Sequence, residues 1–89
     1  MNLIAMIGIV DSFVKDVTDS KLYLKVEKPF FESQNIDDIY ESIQVSVNSS
    51  LFKDDIDFLE KGTLIGLKGR IKNSKNNNLQ IIAEIIQVF

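Results

Sequence analysis

Two stretches of the chain alternate polar and apolar residues at every second position, and this pattern limits the fold more than any other feature. They cover residues 21–28 and 40–48. A period of two residues is typical of a β-strand with one buried face and one solvent face. The pattern predicts these inward residues: Leu22, Leu24, Val26, Ile43, Val45 and Val47. The predicted outward residues are Lys21, Tyr23, Lys25, Glu27, Ser42, Gln44, Ser46 and Asn48.

Two further segments, residues 3–10 and 79–89, are apolar at nearly every position. A strand with two apolar faces is usually buried on both. In residues 79–89, strict alternation places Leu79, Ile81, Ala83 and Ile85 on one side and Ile82, Ile86 and Val88 on the other. A chain of 89 residues cannot easily cover both faces of its first strand. We therefore expect a homo-oligomer assembled through that strand.

A single helix is predicted over residues 50–62. Ser50 is a suitable N-cap, and Asp54 and Asp55 lie near the positive end of the helix dipole. Phe52 and Leu59 belong to an apolar stripe with helical spacing. A glycine in the left-handed conformation commonly ends a helix, so Gly62 is the expected stop.

The fourth strand is predicted over residues 63–73. Ile65, Leu67 and Ile71 are expected to point inward, and Lys68, Arg70 and Lys72 outward. The polar run of residues 73–78 predicts a hairpin loop to the last strand. Residues 28–39, with one proline and several turn formers, predict a mobile loop between strands two and three.

The predicted order is three strands, a helix and two strands in one domain, residues 1–89. This order is the layout of the OB-fold, a five-stranded Greek-key barrel of the all-β class. Gly66 and Gly69 lie in the fourth strand, where glycine allows strand coiling or close packing.

The composition argues against an enzyme. The chain has no cysteine and no histidine, which removes thiolate nucleophiles, the commonest general base and the commonest metal ligands. Asp54, Asp55 and Asp57 are not followed by the glycine turn of a calcium loop. We expect no metal, no cofactor and no small-molecule substrate. With no long apolar run and no signal-peptide pattern, we also expect no membrane partner and a cytoplasmic location.

The charge is unevenly distributed along the chain. Residues 1–60 carry five lysines against twelve acids, and residues 61–89 carry five basic residues against one acid. Such a basic segment is either a polyanion-binding surface or a solvated strand face. In an OB-fold, the ligand lies across strands two and three, between the loops after strands one and four.

Cations interleaved with aromatic rings suit single-stranded nucleic acid, because cations meet phosphates while rings stack on bases. The predicted stacking residues are Tyr23, Phe30, Phe31 and Tyr40, and the predicted phosphate contacts are Lys21, Lys25, Lys68, Arg70, Lys72 and Lys75. An alternative for Phe30 and Phe31 is a loop that folds onto the end of the barrel.

Several segments resemble bacterial single-stranded DNA-binding proteins. Residues 1–8 are similar to the family's first strand, residues 43–51 and 58–71 to its third strand, helix and fourth strand, and residues 82–89 to its closing strand. The resemblance implies an OB-fold that forms dimers or tetramers through the first strand and binds single-stranded DNA. It also implies that Lys68, Arg70 and Lys72 line the path of the DNA backbone.

The chain departs from that family in its aromatic residues. Where members usually carry rings, this sequence has Ser42, Asn48 and Asn76, and it contains no tryptophan. It also lacks the family's acidic C-terminal tail, so we expect a minimal or divergent member. The leading hypothesis is sequence-tolerant single-stranded DNA binding in replication, recombination or repair. The alternatives are an accessory OB-fold subunit that acts through protein contacts and an RNA-binding OB domain.

Overall fold

A computed structural model describes residues 2–16, 19–28, 39–48 and 59–89. Their five strands are β1 (Ile4–Val14), β2 (Asp19–Glu27), β3 (Tyr40–Asn48), β4 (Leu64–Asn73) and β5 (Leu79–Val88). Within these ranges, no helix is long and apolar enough to cross a membrane. Most of the predicted helix lies outside the described residues. Residues 59–62 lead into a turn in which Gly62 has a φ of +93°, the left-handed conformation expected there.

The strands close into a barrel in the order β1-β2-β3-β5-β4. All neighbouring pairs are antiparallel except β3 and β5, which pair in parallel only between residues 45–47 and 81–83. The predicted all-β, five-stranded OB-fold is confirmed. Closure pairs strands that would otherwise be open edges, which are a common starting point for aggregation.

The interior of the barrel is filled by aliphatic side chains from every strand. Its members are Val10, Leu22, Leu24, Val45, Val47, Ile65, Leu67, Ala83 and Ile86, together with Leu59, which precedes the turn before β4. The alternation of β2 and β3 therefore predicted their buried faces correctly, because both strands have one face on the core and one face outside.

Strand β1 is four residues longer at its C-terminal end than the sequence pattern indicated, because a β-bulge hides the continuation. The register shifts between Val10 and Ser12, so Asp11 is the extra residue. Beyond the bulge, Phe13 pairs with Leu22 and the strand resumes its alternation. Before the bulge the outward face of β1 is apolar and exposed: Ile7 is 61% exposed, and Leu3, just before the strand, is 70% exposed.

A second irregularity corrects the predicted faces of β5. The register with β4 shifts between Lys68 and Gly69, which leaves Glu84 as the extra residue. Ile86 is consequently buried, whereas Ile85 is 60% exposed and lies on the opposite face from Ala83. The prediction that Ile85 shares a face with Ala83 is wrong because a bulge reverses the alternation after it.

Ile71 lies on the inward side of β4 as predicted, in alternation with the outward Arg70 and Lys72, but it is still 37% exposed. Strand β1 starts opposite Gly69 and does not reach that part of β4. Instead, the side-chain amide of Asn2 exchanges two hydrogen bonds with the backbone of Ile71. This leaves the end of β4 without a neighbouring strand to bury Ile71 on that side.

The predicted hairpin between β4 and β5 is present. The backbone N–H of Ser74 donates to the carbonyl oxygen of Asn78 at 2.8 Å, and the Ser74 hydroxyl accepts from the Asn78 N–H at 3.2 Å. The predicted loop between β2 and β3 lies mostly outside the described residues. At its base, the N–H of Lys28 donates to the carbonyl oxygen of Ile39 at 2.8 Å.

Candidate nucleic-acid interface

One row of outward-facing residues crosses four strands of the barrel. Lys21 on β2 pairs with Ser46 on β3, Ser46 pairs with Ile82 on β5, and Ile82 pairs with Arg70 on β4. Because adjacent strands lie about 4.8 Å apart, the row places Lys21 and Arg70 about 14 Å apart along the sheet. The parallel pairing of β3 with β5 is what brings the two halves of the row together.

A second row lies two residues further along the same strands. Tyr23 pairs with Gln44, and Lys72 pairs with Gln80. We call the two rows together the basic face. Its members are Lys21, Tyr23, Gln44, Ser46, Arg70, Lys72, Gln80 and Ile82.

Three other predicted residues lie toward the same end of this face as the second row. Lys25 is the next outward residue of β2, and it pairs with Ser42. Tyr40, which is 48% exposed, pairs with Glu27 at the start of β3. Lys75 is exposed in the hairpin that follows Lys72. The barrel therefore brings together the two basic stretches that are far apart in the sequence.

The cations on β2 already have acidic partners. The Lys21 ammonium lies 3.1 Å from Oδ2 of Asp19 and donates to the hydroxyl of Ser46 at 2.8 Å. Ser46 is only 4% exposed although it points out of the barrel, which fits its place beside the Lys21 side chain. The Lys25 ammonium lies 3.6 Å from Oδ1 of Asp11, the extra residue of the β1 bulge.

The cations on β4 and in the hairpin, unlike those on β2, have no acidic partner among the described residues. Lys68, Arg70, Lys72 and Lys75 are all exposed, and none of them forms an ion pair with another residue in the part of the chain that the structure describes. An exposed cation without an acidic neighbour keeps its full attraction for a polyanion. The positive potential of the basic face is therefore concentrated on β4.

Lys68 differs from its two neighbours on β4 in its surroundings. It pairs with Ala5 on one side and with Ile85 on the other. These residues line a groove of about 540 Å³ on the outer surface of β1, β4 and β5. We call this surface the apolar face, defined by Leu3, Ala5, Ile7, Gly66, Ile85 and Phe89. Lys68 thus lies at the boundary between the apolar face and the basic face.

The aromatic content of the interface is low. Tyr23 is half-buried and Tyr40 exposed, whereas Phe30 and Phe31 lie outside the described residues. Ser42, Asn48 and Asn76, which stand where the resembled family carries rings, are exposed polar residues here. The centre of the basic face is instead formed by Gln44, Ser46 and Gln80.

Sequence reasoning missed Gln80 and Ile82 as members of this face. The alternation of β5 indicates that Gln80 and Ile82 lie on the same side of the strand. Only the parallel pairing with β3 shows that this side lies next to Ser46. It also missed the acidic partners Asp11 and Asp19. A bulge at Asp11 gives no sequence signal beyond a polar residue in an apolar strand.

Among the residues that the structure describes, no three acidic, cysteine or histidine side chains lie close enough together to hold a metal ion. Asp54, Asp55 and Asp57 lie outside the described ranges.

A family model described as "OB-fold nucleic acid binding domain" (tRNA_anti-codon) matches residues 34–89. The chain therefore belongs to this family of OB-fold nucleic acid binding domains. No sequence among the curated proteins matches the chain.

Several solved structures share the fold. The dimeric N-terminal domain of the PriB protein from Thermoanaerobacter tencongensis has a TM-score of 0.71 at 18% identity, over 99% of this chain and 96% of that one. The small single-stranded DNA-binding protein from Streptomyces coelicolor has a TM-score of 0.68 at 21% identity, over 100% and 95%. The mitochondrial single-stranded DNA-binding protein Rim1 from S. cerevisiae has a TM-score of 0.69 at 15% identity, over 97% and 91%. The resemblance to single-stranded DNA-binding proteins is thus confirmed at the level of the fold.

Proposed function

We propose that this chain binds single-stranded DNA with little sequence preference through the basic face. The observation that carries the proposal is the position of Arg70 and Lys72. Both are exposed, neither has an ion-pair partner within the described ranges, and the barrel places them on one surface with Tyr23. Family membership and the names of the structural neighbours support the same function.

Two kinds of contact contribute to this binding. Tyr23, Tyr40, Phe30 and Phe31 stack on bases, while the exposed cations of β4 and the hairpin, Lys68, Arg70, Lys72 and Lys75, supply the positive charge. Each base stacked on an aromatic ring contributes about 1–3 kcal/mol, so the polar residues at three ring positions make binding more dependent on charge. The protein carries no reaction of its own and serves replication, recombination or repair by holding the strand.

The proposal is tested by fluorescence anisotropy of a labelled oligo-dT at two salt concentrations. We expect binding at low salt that weakens steeply as salt increases, because neutralised phosphates release counterions. A parallel titration with oligo-U compares DNA with RNA. Tighter binding of oligo-U would replace the DNA proposal with an RNA one, and no binding of either would reject both.

The face itself is tested by charge reversal. The double variant Lys68→Glu/Arg70→Glu should abolish oligo-dT binding while the far-ultraviolet circular dichroism spectrum is unchanged. Arg70→Glu and Lys61→Glu make the same single charge change, but Lys61 lies in the turn before β4, away from the basic face. Equal loss of affinity in these two single variants would argue against a local contact surface.

We further propose that the chain forms a homo-oligomer through the apolar face, with β1 at its centre. Leu3, Ile7, Ile85 and Phe89 are each at least 60% exposed on this surface. Exposed apolar groups that lie next to one another commonly mark an interaction surface. Sedimentation should give a dimer or tetramer, and Ile7→Glu should give a monomer with the same fold. A monomeric parent chain at micromolar concentration would contradict this.

The second candidate function is that of an accessory OB-fold subunit, and the apolar face is the observation that favours it. In this case the face is occupied by a different protein rather than by another copy. A chain that is monomeric and binds no oligonucleotide even at low salt would support the accessory function over the first.

A further inference from the structure

Lys21 is held by two contacts that compete with phosphate binding. Its ammonium lies 3.1 Å from Oδ2 of Asp19 and donates to the Ser46 hydroxyl at 2.8 Å. An ammonium group has three donors, so these contacts use two of them. The Lys21 side chain is only 27% exposed, whereas that of Asp19 is 52% exposed and faces solvent beside it.

The charge of Lys25 is likewise offset by a nearby carboxylate, at a longer distance. Its ammonium lies 3.6 Å from Oδ1 of Asp11, within the range of an ion pair but beyond the ordinary hydrogen-bonding distance. Both lysines of β2 therefore have an acid next to them. On the opposite side of the basic face, Arg70 and Lys72 have no such acid within the described residues.

We infer that Asp19 and Asp11 remove Lys21 and Lys25 from phosphate binding, so that the sugar–phosphate backbone of a bound strand follows β4 and the hairpin. The bases then lie over β3 and β2, where Ser46, Gln44 and Tyr23 are located. This inference rests on the proposed function and assigns a role to two acids that the sequence analysis did not single out.

The physical reason is that each lysine–aspartate pair is close to neutral. A phosphate that approached Lys21 would also approach the exposed Asp19 carboxylate, and the repulsion offsets the attraction. Arg70 and Lys72 present uncompensated charge. Condensed counterions are displaced where phosphates are neutralised. The slope of log K against log[salt] should therefore depend on the cations of β4 and not on those of β2.

Two charge-conserving double variants test the assignment. Asp19→Asn/Lys21→Gln removes a neutral pair, and glutamine keeps a donor for Ser46. Glu60→Gln/Arg70→Gln also leaves the net charge unchanged, but it removes one unpaired cation together with an acid from the turn before β4. Labelled oligo-dT is titrated by anisotropy at several salt concentrations, and the slope of log K against log[salt] is compared with that of the parent chain.

We expect the first double variant to keep the parent slope and the second to reduce its magnitude by about 0.7, the value for one phosphate contact on a single strand. The single variant Asp19→Asn frees Lys21 and should steepen the slope by about 0.7, with tighter binding at low salt. Glu60→Gln is its control, because it removes the same charge without freeing a lysine on the basic face.

The outcomes separate the two proposals. If the parent chain binds oligo-dT but both double variants reduce the slope equally, or Asp19→Asn has no more effect than Glu60→Gln, this inference is wrong and the proposed function stands. If the parent chain binds no oligonucleotide at low salt, the proposed function fails and this inference fails with it.

Crosslinking tests the predicted side for the bases. An oligonucleotide with 5-bromodeoxyuridine should crosslink to residues of β2 and β3, Tyr23 above all. Crosslinks confined to β4 and the hairpin would overturn the proposed orientation of the strand.

Discussion

At Gly69 the backbones of β4 and β5 approach each other beside the bulge in β5. A Cβ atom at this position would clash with the carbonyl oxygen of Ile82 and lie 3.2 Å from Cα of Ala83. Both obstacles are backbone atoms, which cannot rotate away. The glycine is needed for the close approach of two strands, and close packing is one of the two roles predicted for Gly66 and Gly69.

Gly69→Ala should therefore lower the free energy of unfolding by about 3 kcal/mol, the upper end of the usual cost of overpacking. Urea denaturation measures the loss. Gly66→Ala is the matched control, because its Cβ would meet side chains and no backbone atom, the nearest being ring atoms of Phe89 at 3.1 Å. That ring lies at the surface of the single chain and can move, so we expect a loss below about 1 kcal/mol when both variants are made in the monomeric Ile7→Glu background. Equal losses would show that the strand approach is not the cause.

Among the secondary-structure elements, the β4–β5 hairpin depends on one residue with a left-handed backbone. Asn77 has a φ of +60°, a conformation that asparagine tolerates better than most residues. The turn is held by hydrogen bonds of Ser74 with Asn77 and Asn78. Asn77→Ala should lower the free energy of unfolding by about 1 kcal/mol. Alanine is strained in the left-handed conformation because, unlike asparagine, it has no polar side chain that can form a local hydrogen bond.

Asn77→Gly and Asn76→Ala are the controls for this prediction. Glycine adopts positive φ without strain, so Asn77→Gly should be close to neutral. Asn76 does not have a positive φ, so alanine should be tolerated at that position. A glycine variant that loses as much stability as the alanine variant would indicate that the asparagine side chain, not its backbone, is responsible.

The elements also show how far the fold could be predicted from the sequence. The bounds of β3 and the faces of β2 and β3 were predicted because regular alternation survives in strands without bulges. The length of β1 and the face of Ile85 were not, since each depends on one extra residue, Asp11 or Glu84, that breaks the period. In β5 the sequence does not indicate the break, because Ile85 and Ile86 are identical and either could fill the core.

The candidate site was predictable to a similar extent. Alternation assigned Lys21, Tyr23, Arg70 and Lys72 to outward positions, which the structure confirms. Their assembly on one face depends on the pairing of β3 with β5, which is remote in sequence. The pairing of Lys25 with Asp11 depends on a bulge, so no sequence spacing indicates it.

In the whole barrel, the weakest line of pairing is the one between β3 and β5. These strands pair only at residues 45–47 and 81–83, whereas β2 and β3 pair along their whole length. Local opening follows the regions with the least pairing and burial. We call the β3–β5 pairing the seam. Its hydrogen-bonded amides should have a smaller free energy of opening, measured by native-state hydrogen exchange, than the amides between β2 and β3.

The basic face crosses the same seam, since the row from Lys21 to Arg70 includes Ser46 and Ile82. Saturating oligo-dT should therefore slow exchange at the seam more than at the paired ends of β1 and β2, because a ligand that binds only the closed barrel stabilises it. Uniform slowing at all amides would mean that binding opposes only global unfolding. No slowing at all would place the ligand elsewhere.

The exposed apolar face has a consequence for how long a strand the assembly engages. Two chains that pack through it carry two basic faces in one particle, and the second contact with a long strand becomes intramolecular. Affinity can then rise by a factor on the order of 100 to 10,000 without any new type of contact, provided that one strand spans both faces. Preference for long over short strands would thus be a property of the assembly, and it would disappear on dilution to single chains.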